Sequence, residues 1–292
     1  MRLVHKFPLD AEHTQEDLMS RPATTIADYA GVADLTRYPI NDLASPAGQA
    51  LIHGCRADLA AKGACSLPGF ITPEAVRAMV NLAGQLAGQA WVSDQTHTIY
   101  FEPPDPAVPA RHPRARQWRS AKRGIAYDYI PADAPTRRLY ESDDLTRFVA
   151  AVLSKQTLYR SADRLDALQI TTFNAGDELG WHFDRSEFSI TVMYQQSAAG
   201  GHFDYHPGLR SEGNENCAGV QRVLDGGTGG LTRLPSAPGT LALFRGQHAL
   251  HRVTPIQGPI PRINSVLTYG EHPDMRLNDL TSQLFYGRTS QR

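Results

Sequence analysis

The hydrophobic period changes midway along the chain. Leu51, Ile52, Cys55 and Leu59 recur at helical spacing and predict a helix over 45–62, with Gly63 placed to end it in a left-handed conformation. Thr72-Pro73-Glu74 then carries a hydroxyl cap followed by a first-turn proline. Val76, Met79, Val80, Ala83 and Leu86 supply the core-facing stripe of a second helix. The apolar stretch 67–71 between them reads as a connection. A further amphipathic helix is predicted over 139–153, with Leu145, Phe148, Val149 and Val152 inward. The first fifty residues show little periodicity and contain Pro22, Pro39 and Pro46, so they read as an irregular arm.

After Tyr159 the period falls to two. Residues 168–173 alternate, and 188–194 place Phe188, Ile190, Val192 and Tyr194 on one face. Gly200-Gly201 reads as a turn into a returning strand at 202–205, and further strands are predicted at 240–244, 251–254 and 262–269. Strands joined by turns with no intervening helices predict an antiparallel barrel or jelly roll, not a parallel sheet. The expected class is therefore α+β, with N-terminal helices packed on a jelly-roll, cupin-like core. A single domain is expected over 1–292, comprising an irregular arm (1–50), a mostly helical part (51–158), the β core (159–275) and a C-terminal segment (276–292).

Composition narrows the partners. The 292 residues are 41% hydrophobic and 20% charged, which suits a globular chain and excludes a disordered tail or a coiled coil. Lys and Arg number 29 against 30 Asp and Glu, a net charge of -1 that leaves no global field for a polyanion or an anionic bilayer. A small molecule is the expected partner, with no nucleic-acid polymer and no membrane. Six basic residues crowd Trp118 between Arg111 and Arg123, but without a recognised motif this segment reads as a solvated loop or lid. Cys55, Cys65 and Cys217 form no CxxC or metal-knuckle spacing, and the N-terminus lacks the apolar stretch of a signal peptide, so a cytoplasmic location is expected. No motif sets the oligomeric state, and a homodimer is compatible with the sequence.

The candidate chemistry lies among the histidines, five of 11 of which fall between His182 and His251. Trp181-His182-Phe183-Asp184 puts an imidazole and a carboxylate at i and i+2, on one face of an extended strand. His251, at the start of another predicted strand, can supply a third ligand. Two His and one carboxylate on one side of an ion leave the other positions open, the facial arrangement of non-haem iron(II) oxygenases. Arg262 follows eleven residues later, sharing a strand face with Asn264, Val266 and Thr268, and its planar fork suits a carboxylate such as the distal one of 2-oxoglutarate. Asp225-Gly-Gly-Thr-Gly-Gly230 fits no phosphate-binding pattern and reads as a loop. The adjacent Asp177 and Glu178 read as turn and surface residues.

These features resemble the Fe(II)/2-oxoglutarate-dependent oxygenases with a double-stranded β-helix, in particular the group of free-amino-acid radical halogenases, their lysine-hydroxylating relatives and ArpA-like proteins. The resemblance is carried by Lys122-Arg-Gly-Ile-Ala-Tyr-Asp128, Gly176-Asp-Glu-Leu-Gly-Trp-His-Phe-Asp-Arg-Ser-Glu-Phe188, Gly200-Gly-His-Phe-Asp-Tyr205 and His248-Ala-Leu-His-Arg-Val-Thr-Pro255, and it runs from about Gly63 to the C-terminus. It implies His182, Asp184 and His251 as iron ligands, Arg262 as the 2-oxoglutarate anchor, and dioxygen as the oxidant. The halogenases of the group carry Gly where this chain has Asp184, so hydroxylation is expected over halogenation. A second HxD at His202-Phe203-Asp204 lies one hairpin later, and His248 stands three before His251. The family interval to Arg262 favours His251, and relatives vary at the His202 position.

The substrate is less legible. The free-lysine enzymes of the group place polar or acidic groups near these strands, whereas this chain has Leu179, Arg185 and Val266, which points away from lysine. Arg185 can receive a carboxylate or phosphate, or else pair with Glu187 or Asp177. Thr268, Trp118, His97, Phe285 and Tyr286 are further pocket candidates. An amino acid or derivative is the first expectation and a nucleotide the second. A radical halogenase and a non-catalytic jelly-roll binding protein are the other readings.

Overall fold

The computed structural model describes residues 29–103 and 105–289. Much of the expected N-terminal arm lies outside these residues. Its described part is not loose: Tyr29, Val32, Tyr38 and Ile40 are buried, and the Tyr29 hydroxyl donates to Asp144.

The helices form where capping and periodicity place them. Helix α1 (Pro46–Lys62) starts on the Ser45 hydroxyl, which accepts from the Gly48 N–H, and ends on left-handed Gly63. Helix α2 (Pro73–Gln85) is capped by Thr72. The single helix expected over 139–153 is two, α3 (Pro135–Tyr140) and α4 (Asp143–Val152). Ser142 breaks the run because its side chain caps the Leu145 N–H and starts a new helix. Two later helices, α5 (Cys217–Leu224) and α6 (Asp279–Tyr286), have no counterpart among the predicted elements. Both are too short for a periodic signal to stand out.

Eleven strands make the main sheet: β1 (Ala64–Leu67), β2 (Trp91–His97), β3 (Trp118–Ile125), β4 (Leu168–Phe173), β5 (Glu178–His182), β6 (Ser189–Gln195), β7 (Phe203–His206), β8 (Thr232–Arg233), β9 (Leu241–Phe244), β10 (Leu250–Val253) and β11 (Arg262–Leu267). Their order is β1-β9-β6-β11-β4-β3-β5-β10-β7-β8, with β2 on the other edge of β3. Three of them, β1, β2 and β3, fall within the stretch expected to be mostly helical. The basic segment read as a solvated loop is a loop only to Gln117; from Trp118 it is β3, whose Lys and Arg residues hid the strand. This strand joins the two halves of the curl: Arg123, Gly124 and Ile125 pair with β4, and Ser120 and Ala121 pair with β5. Gly200 and Gly201, at φ 66° and 63°, make the predicted turn into β7.

The main core lies outside the curl. Ile190, Val192 and Tyr194 of β6, with Leu241, Leu243, Leu168, Ile170 and Leu267, pack against Ile52, Leu59, Met79, Leu145 and Phe148 of the helices. One face of these strands is thus spent on the helices, and the other carries polar groups together with smaller apolar clusters such as Phe173, Val253 and Ile256. Among the described residues no helix is long and apolar enough to cross a membrane.

Phe148 is fully buried between α4 and the sheet. Phe148→Ala is expected to destabilise the fold by about 3–5 kcal/mol, read as a lower midpoint in urea unfolding with an unchanged slope.

Candidate metal centre

Strand register assembles the site. His182, the last residue of β5, is the cross-strand partner of His251 on β10, and the two ring centroids are 4.0 Å apart. Asp184 lies just beyond the strand end rather than within it, with its N–H donating to the Gly246 carbonyl at 3.1 Å. One ligand atom from each of His182, Asp184 and His251 falls within 4.8 Å of the others.

Each imidazole is fixed in the same way. His182 Nδ1–H donates to the Gly180 carbonyl at 2.8 Å, and His251 Nδ1–H to the Ala249 carbonyl at 2.9 Å. A carbonyl only accepts, so the proton sits on Nδ1 and the Nε2 lone pair is free to ligate. Both Nε2 atoms face one oxygen, Asp184 Oδ1, at 3.5 and 3.4 Å. Burial, reinforced by the neighbouring His251, lowers the His182 pKa to about 4. Burial pushes the Asp184 carboxyl up, but the two histidines outweigh it and hold the group well below the usual carboxylate range. Two imidazoles and one carboxylate with converging donors fit a single first-row ion such as iron(II).

Aromatic rings enclose the pair. Phe203 stacks on His251 at 5.3 Å and Phe244 meets its edge at 4.8 Å, while Phe101 approaches His182 at 5.4 Å. His97 lies 6.1 Å from His182, its Nε2 bonded to the Ser120 hydroxyl at 2.6 Å.

Arg262 is 6% exposed, with its guanidinium carbon 5.4 Å from the Phe173 ring centroid. One Nη donates to the Asn264 side-chain oxygen, and Nε is buried without a partner. Burial alone pulls its pKa down to about 10, with no acidic neighbour raising it. A buried guanidinium without a counter-ion is costly unless a ligand completes it, and the distal carboxylate of 2-oxoglutarate is such a ligand.

The competing ligands are placed elsewhere. His202 is exposed, and the Asp204 side chain is taken by Arg233 at 3.1 Å and Arg252 at 3.3 Å. His248 lies in the turn before β10 and is outside the ligand cluster. Asp177, expected at the surface, is buried and paired with Arg123.

Of the substrate candidates, Thr268 and Tyr286 converge on a residue the sequence did not single out. The Tyr286 hydroxyl donates to Asp166 at 2.6 Å and Thr268 Oγ1 at 3.3 Å. Burial raises the Asp166 carboxyl to about 6, although both hydrogen bonds oppose this. Phe285 lies under the ammonium of Lys122, at 5.1 Å, and burial lowers that lysine's pKa. Lys122 was missed with its strand, and Asp166 because it stands in a loop outside any motif. Trp118 packs on a separate apolar cluster with Arg116 over its ring at 5.2 Å. Arg185 is exposed on the wall of a cavity of about 280 Å³ that also takes in Asp184, Tyr100, Glu102, Phe183, Arg210 and Gln247.

The jelly-roll core and the triad define a non-haem Fe(II)/2-oxoglutarate-dependent oxygenase, an oxidoreductase whose co-substrates are 2-oxoglutarate and dioxygen. A family model described as halogenase D matches residues 117–284. The chain belongs to the halogenase D family. No protein of curated function matches the sequence. Among solved structures, the chain is similar to the non-haem α-ketoglutarate-dependent epimerase SnoN from nogalamycin biosynthesis, at 13% identity and a TM-score of 0.53 over 76% of this chain and 83% of that one. It is also similar to AviO1 from Streptomyces viridochromogenes Tue57, at 15% identity and a TM-score of 0.52 over 77% and 97% of the two chains. HygX from Streptomyces hygroscopicus, solved with nickel, 2-oxoglutarate and hygromycin B, matches at 15% identity and a TM-score of 0.50 over 75% and 88%. At these identities the likeness is one of fold.

His182→Ala is expected to abolish iron(II) binding, whereas His202→Ala keeps native affinity; equilibrium titration of the metal-free protein checks both. Arg262→Ala is expected to raise the KM for 2-oxoglutarate by roughly 30-fold or more, equivalent to about 2 kcal/mol or more, with metal affinity unchanged.

Proposed function

We propose that this chain hydroxylates an unactivated C–H bond of a small metabolite, a free amino acid or a derivative of one. The observation that carries the reading is the complete triad: Asp184 supplies a carboxylate at the position where the halogenases resembled in sequence carry glycine, so that position is filled and closed to a halide. Iron(II) with 2-oxoglutarate and dioxygen supplies the oxidant for such a bond, one oxygen atom entering the product and the other entering succinate as carbon dioxide is lost.

The chain's own residues bind and position. His182, Asp184 and His251 hold the metal from one side. Arg262 anchors and orients 2-oxoglutarate through its carboxylate. Phe101, Phe203 and Phe244 keep water from the metal-facing rings. Lys122 on β3 and Asp166 in the loop before β4 offer opposite charges that feel each other, which suits a substrate that is itself zwitterionic.

Arg185 supports an anionic group on the substrate. Its two expected partners are engaged elsewhere, Glu187 by Lys155 at 2.7 Å and Asp177 by Arg123. The cavity beside it, about 280 Å³, falls just below the roughly 300–1,000 Å³ typical of ligand sites. That size favours an amino acid over a nucleotide. Free Cys55, Cys65 and Cys217 suit a reducing cytoplasm.

Mass spectrometry of reactions containing iron(II), 2-oxoglutarate, chloride and a panel of amino acids and nucleotides tests the proposal. The expected result is succinate together with a product heavier by one oxygen atom. A chlorinated product overturns the hydroxylase reading, and a failure to form succinate with any substrate favours a binding protein. With the accepted substrate, Arg185→Ala is expected to raise its KM roughly 3–10-fold and to leave the KM for 2-oxoglutarate unchanged.

A further inference from the structure

The structure assigns Ser189 and Gly246 as a positioning pair that holds Asp184 as a one-oxygen ligand; this rests on the metal reading of the triad. The two carboxylate oxygens face different surroundings. Oδ1 is turned to both imidazoles, at 3.5 and 3.4 Å. Oδ2 is turned away from them and accepts from the Ser189 hydroxyl at 2.7 Å. A hydroxyl donating to an ionised carboxylate is among the stronger hydrogen bonds, so rotation that brought both oxygens to an ion would forfeit it.

Gly246 closes the other side. A Cβ there would lie 1.8 Å from Asp184 Oδ2 and 2.5 Å from its Cγ. Gly246 is not among the residues at positive φ, so glycine is required here for space and not for backbone freedom. The Asp184 N–H donates to the Gly246 carbonyl at 3.1 Å, tying the two backbones together at this approach.

One pairing sets the whole arrangement. Ser189 is the register partner of Phe244, the Phe244 ring packs on His251, and Gly246 follows two residues further on. The β6–β9 pairing therefore places the hydroxyl, the space for the carboxylate and the wall behind the second histidine together. Ser189 and Gly246 act through Asp184 and are positioning residues for the metal.

Cobalt(II) titration of the metal-free protein, followed by its visible absorption, tests the hydroxyl. Ser189→Ala is expected to bind cobalt about tenfold or more weakly and with a shifted spectrum, and Ser189→Thr to restore both. Native affinity and spectrum in Ser189→Ala overturn the role of Ser189. Equal cobalt binding by the native protein and His182→Ala overturns the metal reading and this inference with it.

Thermal unfolding in EDTA tests the glycine without any metal. Gly246→Ala is expected to lower Tm by roughly 2–6 °C in the native background and by less than half as much in an Asp184→Gly background, where the space is vacated. An equal shift in both backgrounds overturns the packing of Gly246 against Asp184.

Discussion

The register between β5 and β10 is the constraint on which the site depends. It sets His182 opposite His251, and a slip of one residue would turn either imidazole to the other face of the sheet. The register shifts immediately afterwards, Val253 pairing with Leu179, so the match at the histidines is a local one. The Nδ1–H bonds to Gly180 and Ala249 add to it, because each backbone carbonyl holds a ring whose remaining nitrogen faces Asp184. Metal competence is thus a product of strand pairing before it is a property of any one residue.

The same architecture explains how a polar interior is tolerated. Burying Arg262 without a counter-ion, raising Asp166 to about 6 and lowering Lys122 all work against stability in the ligand-free chain. The compensating apolar burial lies on the opposite faces of the strands that carry Arg262 and Lys122, where Ile263 and Leu267 of β11 and Ile125 of β3 join the core packed on the helices. Folding free energy and ligand binding are therefore assigned to the two sides of one sheet. Alternation at a period of two allows this without a second domain.

Much of this was legible in the chain. Helix ends at Ser45, Gly63 and Thr72 were readable because capping is local chemistry. The strands 168–173 and 188–194 were readable because their alternation is uninterrupted. The candidate triad and Arg262 stood out because their residue types and spacing match what an iron ion and an oxoacid would need. β3 was obscured because Arg119, Lys122 and Arg123 give the pattern of a solvated loop. In the fold, Arg119 and Arg123 reach Asp94 and Asp177 while Lys122 turns toward Gln169 and Phe285. Those partners lie 25 to 163 residues away, beyond any local pattern.

By itself the sequence determined the α+β class and the jelly-roll core and narrowed the candidate metal ligands to a few His and Asp residues, because these follow from periodicity and from the donor chemistry of side chains. Tertiary structure alone decided between His182 and His202: both stand in an HxD, and only the packing commits Asp204 to two arginines and leaves Asp184 facing two imidazoles. It also brought Thr268 and Tyr286 onto Asp166, and Ser189 and Gly246 onto Asp184. Such contacts depend on distances across the curled sheet, and distance between residues remote in the chain is fixed by packing, not by their order.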